Sequence, residues 1–201
     1  MMFEPETVKG FLDFVPPESQ KKEAIKAVIE KYFQLYGFLP VETPSIELDE
    51  LMRSDTLDKE DDAISDRFRL RDRGGRNLGL RYEFTFQLAR LLKKNPNLKL
   101  PFKKYQIGKV FRDEPTGPNR LREFTQCDVD IIGSSDIESD AELLSLISDI
   151  FKELKITYEI IQVDLPILVG SAFLLTIIIW DGVQTLPESL LLIIGVFIYF
   201  F

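Results

Sequence analysis

Apolar positions recur in two different rhythms along the first 155 residues, and the way these rhythms alternate predicts the fold. Ala24, Ile25, Val28, Ile29, Tyr32, Phe33 and Tyr36 return at helical spacing after Pro16-Pro17, which predicts an amphipathic helix over about 19–35 with one face on a sheet. Residues 67–72 and 77–83 flank a turn containing Gly74-Gly75, the pattern of an antiparallel hairpin. Residues 85–94 then read as a short helix. Two longer extended runs, 105–112 and 121–132, enclose the turn-rich stretch 113–119 and predict a second antiparallel pair. A last helix over about 139–154 places Ala141, Leu144, Ile147, Phe151 and Leu154 on one face. Helix, hairpin, helix, hairpin, helix predicts an α+β fold, an antiparallel sheet flanked by helices. No internal repeat or low-complexity tract interrupts it.

Near residue 160 both rhythms stop. All 25 basic residues lie at or before Lys155, and 161–201 carry only Asp164, Asp181 and Glu188 as charges among long apolar runs. The expected organisation is a core over 1–160 and an apolar tail over 161–201. The run from Leu165 to Trp180 is 16 residues. As a helix it reaches about 24 Å, short of a hydrocarbon core of roughly 30 Å. The run from Leu190 to Phe201 is shorter, and neither is flanked by Lys or Arg in the way that fixes topology. A membrane contact is therefore expected only through this tail. Three readings stay open for it: a bilayer segment, a buried pair of core elements, or the product of a truncated or frame-shifted gene. The abruptness of the change favours the last.

Composition narrows the chemistry. With 201 residues, 45% of them hydrophobic, the chain can bury a substantial core. The 33 acidic residues outnumber the 25 basic ones for a net charge of −8, so a nucleic acid must be held by a local basic patch. The single cysteine, Cys127, excludes an internal disulfide framework and, on an apolar strand face, reads as a small buried hydrophobe. The absence of histidine removes the commonest zinc ligand and the commonest general base, and no metal site is expected. The first residues lack a basic segment followed by an apolar run, so a cytoplasmic location is expected.

The segment from Tyr105 to Gly133, YQIGKVFRDEPTGPNRLREFTQCDVDIIG, is the most informative. It resembles the second signature motif of class II aminoacyl-tRNA synthetases: a strand ending in Phe-Arg-x-Glu, a variable loop, and a strand entered near Arg-x-Phe. The ending Phe-x-Gln-x-x-x-Asp with a following Gly resembles the histidyl subgroup. Three other stretches agree. Residues 8–14 (VKGFLDF) resemble that family's N-terminal Lys-Gly-x-x-Asp-Phe, and residues 36–44 (YGFLPVETP) resemble the first signature motif. Residues 79–85 (GLRYEFT) resemble its amino-acid-binding Leu-Arg-x-Glu-x-Thr element. The resemblance covers roughly 6–160. No Gly-x-Gly-x-Arg text of the third motif occurs, and the anticodon-binding part is not present in this sequence.

The resemblance implies ATP-dependent activation of histidine and its transfer to tRNA, with Mg2+ carried on the ATP. A free carboxylate is already a nucleophile toward the α-phosphorus, so the protein must supply position and charge rather than a general base. Arg112 is the expected catalytic residue, its planar fork bridging the amino-acid carboxylate and the α-phosphate. By resemblance Phe124 stacks on adenine, Glu114 lies by the adenine edge, and Arg120 and Arg122 fall in the loop that meets the tRNA acceptor end. Glu83, Thr85 and Gln126 are expected at the substrate α-amino group and Asp130 at the imidazole N–H, where many relatives carry Glu. Strand alternation puts Phe124, Gln126, Asp128 and Asp130 on one face, read as the site face, and Thr125, Cys127, Val129 and Ile131 on the other, read as the core face.

Plainer readings stand beside these. Arg112, Glu114, Arg120 and Arg122 can be a solvated ion-pair cluster, Gln126 and Asp130 the wet face of a half-buried strand, and Glu83 a cap for the next helix. Pro44 can be an ordinary edge proline, although the first motif implies a twofold homodimer interface there. A non-catalytic, synthetase-like regulatory or binding module is the alternative function.

Overall fold

The computed structural model describes residues 6–52, 66–118, 120–156, 159–161, 176–178 and 193–196. Two compact units emerge. One comprises Met1–Asp13, Glu42–Pro96 and Ile107–Gln126; the other comprises Phe14–Val41, Asn97–Gln106 and Cys127–Phe201.

In the second unit, α1 (Glu18–Leu35) follows the proline pair and buries Ile29 and Phe33, one turn apart. Ala24, expected on that face, is exposed. α3 (Ile137–Glu153) packs on α1 and buries Leu143, Leu146, Ile147, Ile150 and Phe151. The expected face of α3 is thus corrected by about one residue, since Ala141 is exposed and Leu144 only half-buried. The helix is apolar over more than one stripe, and packing against α1 selects which stripe is used. Phe33 also meets Tyr105, ring centroids 5.2 Å apart. Burying each such side chain contributes roughly 1.5–3 kcal/mol.

The long strands β5 (Phe102–Phe111) and β6 (Glu123–Ile132) form the expected pair and contribute residues to both units. They are the middle of a four-stranded sheet in the order β1-β5-β6-β9, where β1 is Leu39–Pro40 and β9 is Ile193–Val196. The α+β fold class is as expected, and the antiparallel pattern has one exception: β1 runs parallel to β5, Leu39 opposite Lys104 and Pro40 opposite Tyr105. A two-residue strand is too short to show an alternation that sequence could reveal. β7 (Glu159–Ile161) pairs antiparallel with β8 (Thr176–Ile178). Apart from Ile161, β8 and β9, the expected tail lies outside the described residues.

In the first unit, β2 (Ile46–Leu48), β3 (Arg69–Arg71) and β4 (Asn77–Leu80) form an antiparallel sheet in the order β2-β4-β3. The β3–β4 turn is the expected one, with Gly75 at φ +79° and its N–H donating to the Asp72 carbonyl. A 3-10 turn over Asp49–Met52 carries Asp49 inward to a bidentate pair with Arg67, 2.6 Å from Nε and 3.1 Å from Nη2. α2 (Thr85–Lys94) matches the expected short helix.

Candidate functional site

The chemistry-bearing residues of the first unit gather where β5 ends and β6 begins. The Arg112 N–H donates to the Arg122 carbonyl at 2.9 Å and the Asp113 N–H to the Asp66 carbonyl at 2.8 Å, so the loop after β5 leaves from a closed base. Further out, Gly117 and Arg120 exchange backbone hydrogen bonds at 3.3 and 3.0 Å. The N-terminal Lys-Gly element docks on this base: the Gly10 carbonyl accepts the Arg122 N–H at 2.8 Å. Gly10 has φ +88°, and a Cβ there would stand 2.7 Å from Arg122 Cγ, so only glycine fits. Two motifs more than 100 residues apart in the sequence are thereby one local structure.

Arg112 lies over two aromatic rings, its guanidinium carbon 4.5 Å from the centroid of Tyr82 and 5.0 Å from that of Phe124. Its Nε is buried and has no hydrogen-bond partner among the described residues. The ring faces hold the planar ion by cation–π attraction without using its N–H donors. A guanidinium stacked in this way keeps its charge and its plane for an anion.

Glu114 is held by three donors. Tyr82 Oη donates to it at 2.7 Å, Arg120 Nε at 3.0 Å, and Arg120 Nη2 in still closer contact. Burial works to raise the Glu114 carboxyl, but the bonds from Tyr82 and Arg120 outweigh it, and the group sits below its ordinary value. Tyr82 is pushed up to about 12, by burial first and then by donating to Glu114. Arg122 donates through Nε to the Glu114 carbonyl at 3.0 Å and pairs with Asp113 at 3.3 Å. The reading of these charges as a solvated cluster therefore describes Arg120, whose side chain is 61% exposed, but not Arg112.

Of the other expected residues in this unit, Glu83 and Thr85 are half-buried at the start of α2, and Gln126 on β6 is 2% exposed. Phe84, which makes no capping hydrogen bond, holds the N-cap position of α2. Phe124 is buried as well, so the face read as polar is not a wet one. Both faces of β6 are covered from Gln126 onward, which removes the half-buried-strand reading.

In the second unit, Asp130 is 4% exposed and pairs with Lys104. Burial outweighs the opposing pull of Lys104, so its carboxyl sits above the ordinary carboxylate range. Cys127 is fully buried, as expected, and burial pushes its thiol up to about 12.

Sequence reasoning quoted Arg81 within the 79–85 element without giving it a role, and passed over Tyr82. Arg81 is buried, donating through Nη1 to the Thr43 carbonyl at 2.8 Å and through Nε to the Lys109 carbonyl. Its own carbonyl accepts the Phe111 N–H at 3.0 Å, which ties the end of β5 to the 81–85 element. The signal for it was its fixed place in the Leu-Arg-x-Glu-x-Thr element; the structure adds that Gly108 makes room for it, a Cβ there lying 2.7 Å from Arg81 Nη2. Tyr82 fell at an unspecified position of its motif and left no signal.

Comparison with known proteins places this geometry. The histidyl-tRNA synthetase family model matches residues 10–173. Histidine–tRNA ligase 1 of Bacillus cereus is 43% identical over 153 residues, covering 76% of this chain and 35% of that protein. The histidine–tRNA ligase of Wolinella succinogenes is 42% identical over 156 residues, covering 76% and 34%. Among solved structures, histidyl-tRNA synthetase from Nostoc aligns with a TM-score of 0.65 at 29% identity over 75% of this chain and 34% of its own. A Bacillus halodurans protein described as an ATP phosphoribosyltransferase regulatory subunit/histidyl-tRNA synthetase aligns with a TM-score of 0.67 at 25% identity, over 80% and 41%. The chain spans about a third of the length of the curated relatives it matches. With the family model matching well over half of its residues, the chain belongs to the histidyl-tRNA synthetase family.

Proposed function

We propose that this chain binds ATP and histidine and serves the ATP-dependent activation of histidine and its transfer to tRNA, in the cytoplasm. The observation that carries the reading is Arg112, stacked on Tyr82 and Phe124 where β5 runs into the motif loop, its buried Nε without a hydrogen-bond partner among the described residues. In the activation step an oxygen of the histidine carboxylate attacks the α-phosphorus of ATP, the bond to the β-phosphate oxygen breaks, and pyrophosphate leaves with the electron pair. Arg112 bridges the carboxylate and the α-phosphate and stabilises the charge that builds between them. No proton is moved, which suits a chain without histidine. Glu114 takes the adenine edge and Phe124 its ring, while Glu83, Thr85 and Gln126 hold the α-amino group and Asp130 accepts the imidazole N–H. Arg120 and Arg122 meet the tRNA acceptor end. Among the described residues no group of three or more Cys, Asp or Glu side chains would hold a metal, and Mg2+ enters as part of the MgATP substrate.

Homodimerisation through the first-motif region is part of this reading. Just beyond the motif, Ile46 and Leu48 turn outward from β2, each 48% exposed, while Glu47 between them turns in to Arg90, so an apolar strip beside it is available to a second copy. The likeness to the Bacillus halodurans protein described as a regulatory subunit favours the non-catalytic module as the second reading. Histidine-dependent exchange of labelled pyrophosphate into ATP separates the two. The 201-residue chain, lacking third-motif text, is expected to bind ATP with little or no exchange. Steady adenylate formation by this chain would show that the residues of the first two motifs suffice. Absence of ATP binding would refute the site.

A further inference from the structure

The register of the central strand pair sets a buried cation against Asp130. The Arg112 N–H donates to the Arg122 carbonyl, and β5 and β6 are hydrogen-bonded neighbours. Eight residues back along β5 from Arg112 is Lys104, and eight residues on along β6 from Arg122 is Asp130, so the two face each other across the pair. Lys104 Nζ is in direct contact with Asp130 Oδ2, and the two side chains are 1% and 5% exposed. On the other side of Lys104, its partner on β1 is the uncharged Leu39.

Either charge alone would be untenable here. A buried ammonium or carboxylate costs several kcal/mol, and an unpaired one escapes the cost by changing its protonation state. Left by itself, the Asp130 carboxyl would take up a proton and become a hydrogen-bond donor on one oxygen. The Lys104 ammonium works against that uptake, and its contact with Oδ2 fixes the direction of the carboxyl. Because the pair has no net charge, it offers a ligand a placed acceptor rather than a negative field.

We propose that Lys104 is a positioning residue for amino-acid recognition, holding Asp130 as an oriented carboxylate that accepts the N–H of the substrate side chain. The proposal rests on the reading of Asp130 given above. It concerns a lysine that no motif singled out and that would pass as a solvated strand residue by composition.

The test uses the full chain labelled with 13C, the Asp130 carboxyl resonance being assigned by its loss in Asp130→Asn. In the wild type and in Lys104→Arg that carboxyl should be ionised at neutral pH. In Lys104→Met its titration should move up by about one pH unit or more. An unmoved titration overturns the proposal. Calorimetric titration with L-histidine should show Lys104→Met weakened roughly tenfold or more, the loss of about one charge-assisted hydrogen bond, with Lys104→Arg close to wild type. Equal affinity in Lys104→Met and wild type also overturns it. If Lys104→Met does not fold, the double variant Lys104→Met/Asp130→Asn removes the stranded charge. It should bind histidine as Asp130→Asn alone does, and clearly weaker binding than that would show Lys104 acting by another route, against the proposal. A wild-type chain that does not bind histidine overturns the reading of the site instead, and the carboxyl titration then decides on Lys104 by itself.

Discussion

Arg112→Lys is the sharpest perturbation of the proposed nucleotide site, because it keeps the charge and removes only the shape. The wild-type guanidinium lies 4.5 and 5.0 Å from two ring centroids and so has a plane to lie in; an ammonium has none. Lysine can place one N–H on a phosphate oxygen but cannot span carboxylate and phosphate with a rigid fork. Losing one charge-assisted hydrogen bond costs about 1.5–3 kcal/mol. Poorer seating on Tyr82 and Phe124 adds roughly 0.5–1 kcal/mol. At about 1.4 kcal/mol per decade, ATP affinity should fall roughly thirty- to several-hundred-fold. Calorimetric titration of MgATP into the two chains measures this directly, with thermal melts alongside to show that the fold is intact. Unchanged affinity in a well-folded variant would refute the assignment of Arg112, and a loss accompanied by an equal loss of stability would make it a structural residue.

Four further outcomes follow from the geometry. Arg67→Met strands Asp49 in a pair whose side chains are 0% and 3% exposed and should cost about 3–5 kcal/mol by urea unfolding, with most of it regained in Arg67→Met/Asp49→Leu. Gln87 on α2 is fully buried, and neither side-chain atom has a hydrogen-bond partner among the described residues; Gln87→Met should be neutral or stabilising in a thermal melt, and a loss above about 2 kcal/mol would reveal a partner. The Tyr82 phenol is raised to about 12 from an ordinary value near 10, so the stability it contributes is complete below pH 10 and lost as pH rises through 12; the fall in urea midpoint over that window should be shallower in Tyr82→Phe. Ile46→Glu with Leu48→Glu should shift the sedimentation of the chain from dimer toward monomer, and no shift would remove the strip beside the first motif as the interface.

Much of the fold was legible because its periodicities are long. α2 runs over the span expected for it, 85–94, and α1 begins one residue from its expected start, since both are set by local pattern and flanking breakers. β1 and β2 were missed because two or three residues cannot display a period. The start of β5 was placed at Tyr105 rather than Phe102, since Lys103 and Lys104 add no apolar alternation to the run. Lys104 is inside only because Asp130, 26 positions later, neutralises it, and that is a fact of register rather than of local sequence. Asp49 and Arg67 were passed over, and Arg81 was quoted without a role, for the same reason: charged side chains are expected outside unless a partner is known, and the partner is supplied by the tertiary fold.

The charges around the motif loop differ in how firmly they are held, and the difference bears on the proposed function. Arg120 reaches Glu114 from a side chain that is 61% exposed, and ion pairs of that kind are worth little net because water screens them and two flexible side chains must be ordered. A ligand that brings its own donor to Glu114 can displace Arg120 at small cost and leave Tyr82, 2.7 Å away, to orient the carboxylate. Arg112 is built the opposite way: ring faces fix its plane while its buried Nε is left without a partner, so the orientational entropy of the fork is lost on folding rather than on binding. Under the proposed function the contrast suits the two roles: Arg120 can yield to a ligand at Glu114, and Arg112 is a preorganised cation where charge develops in the transition state.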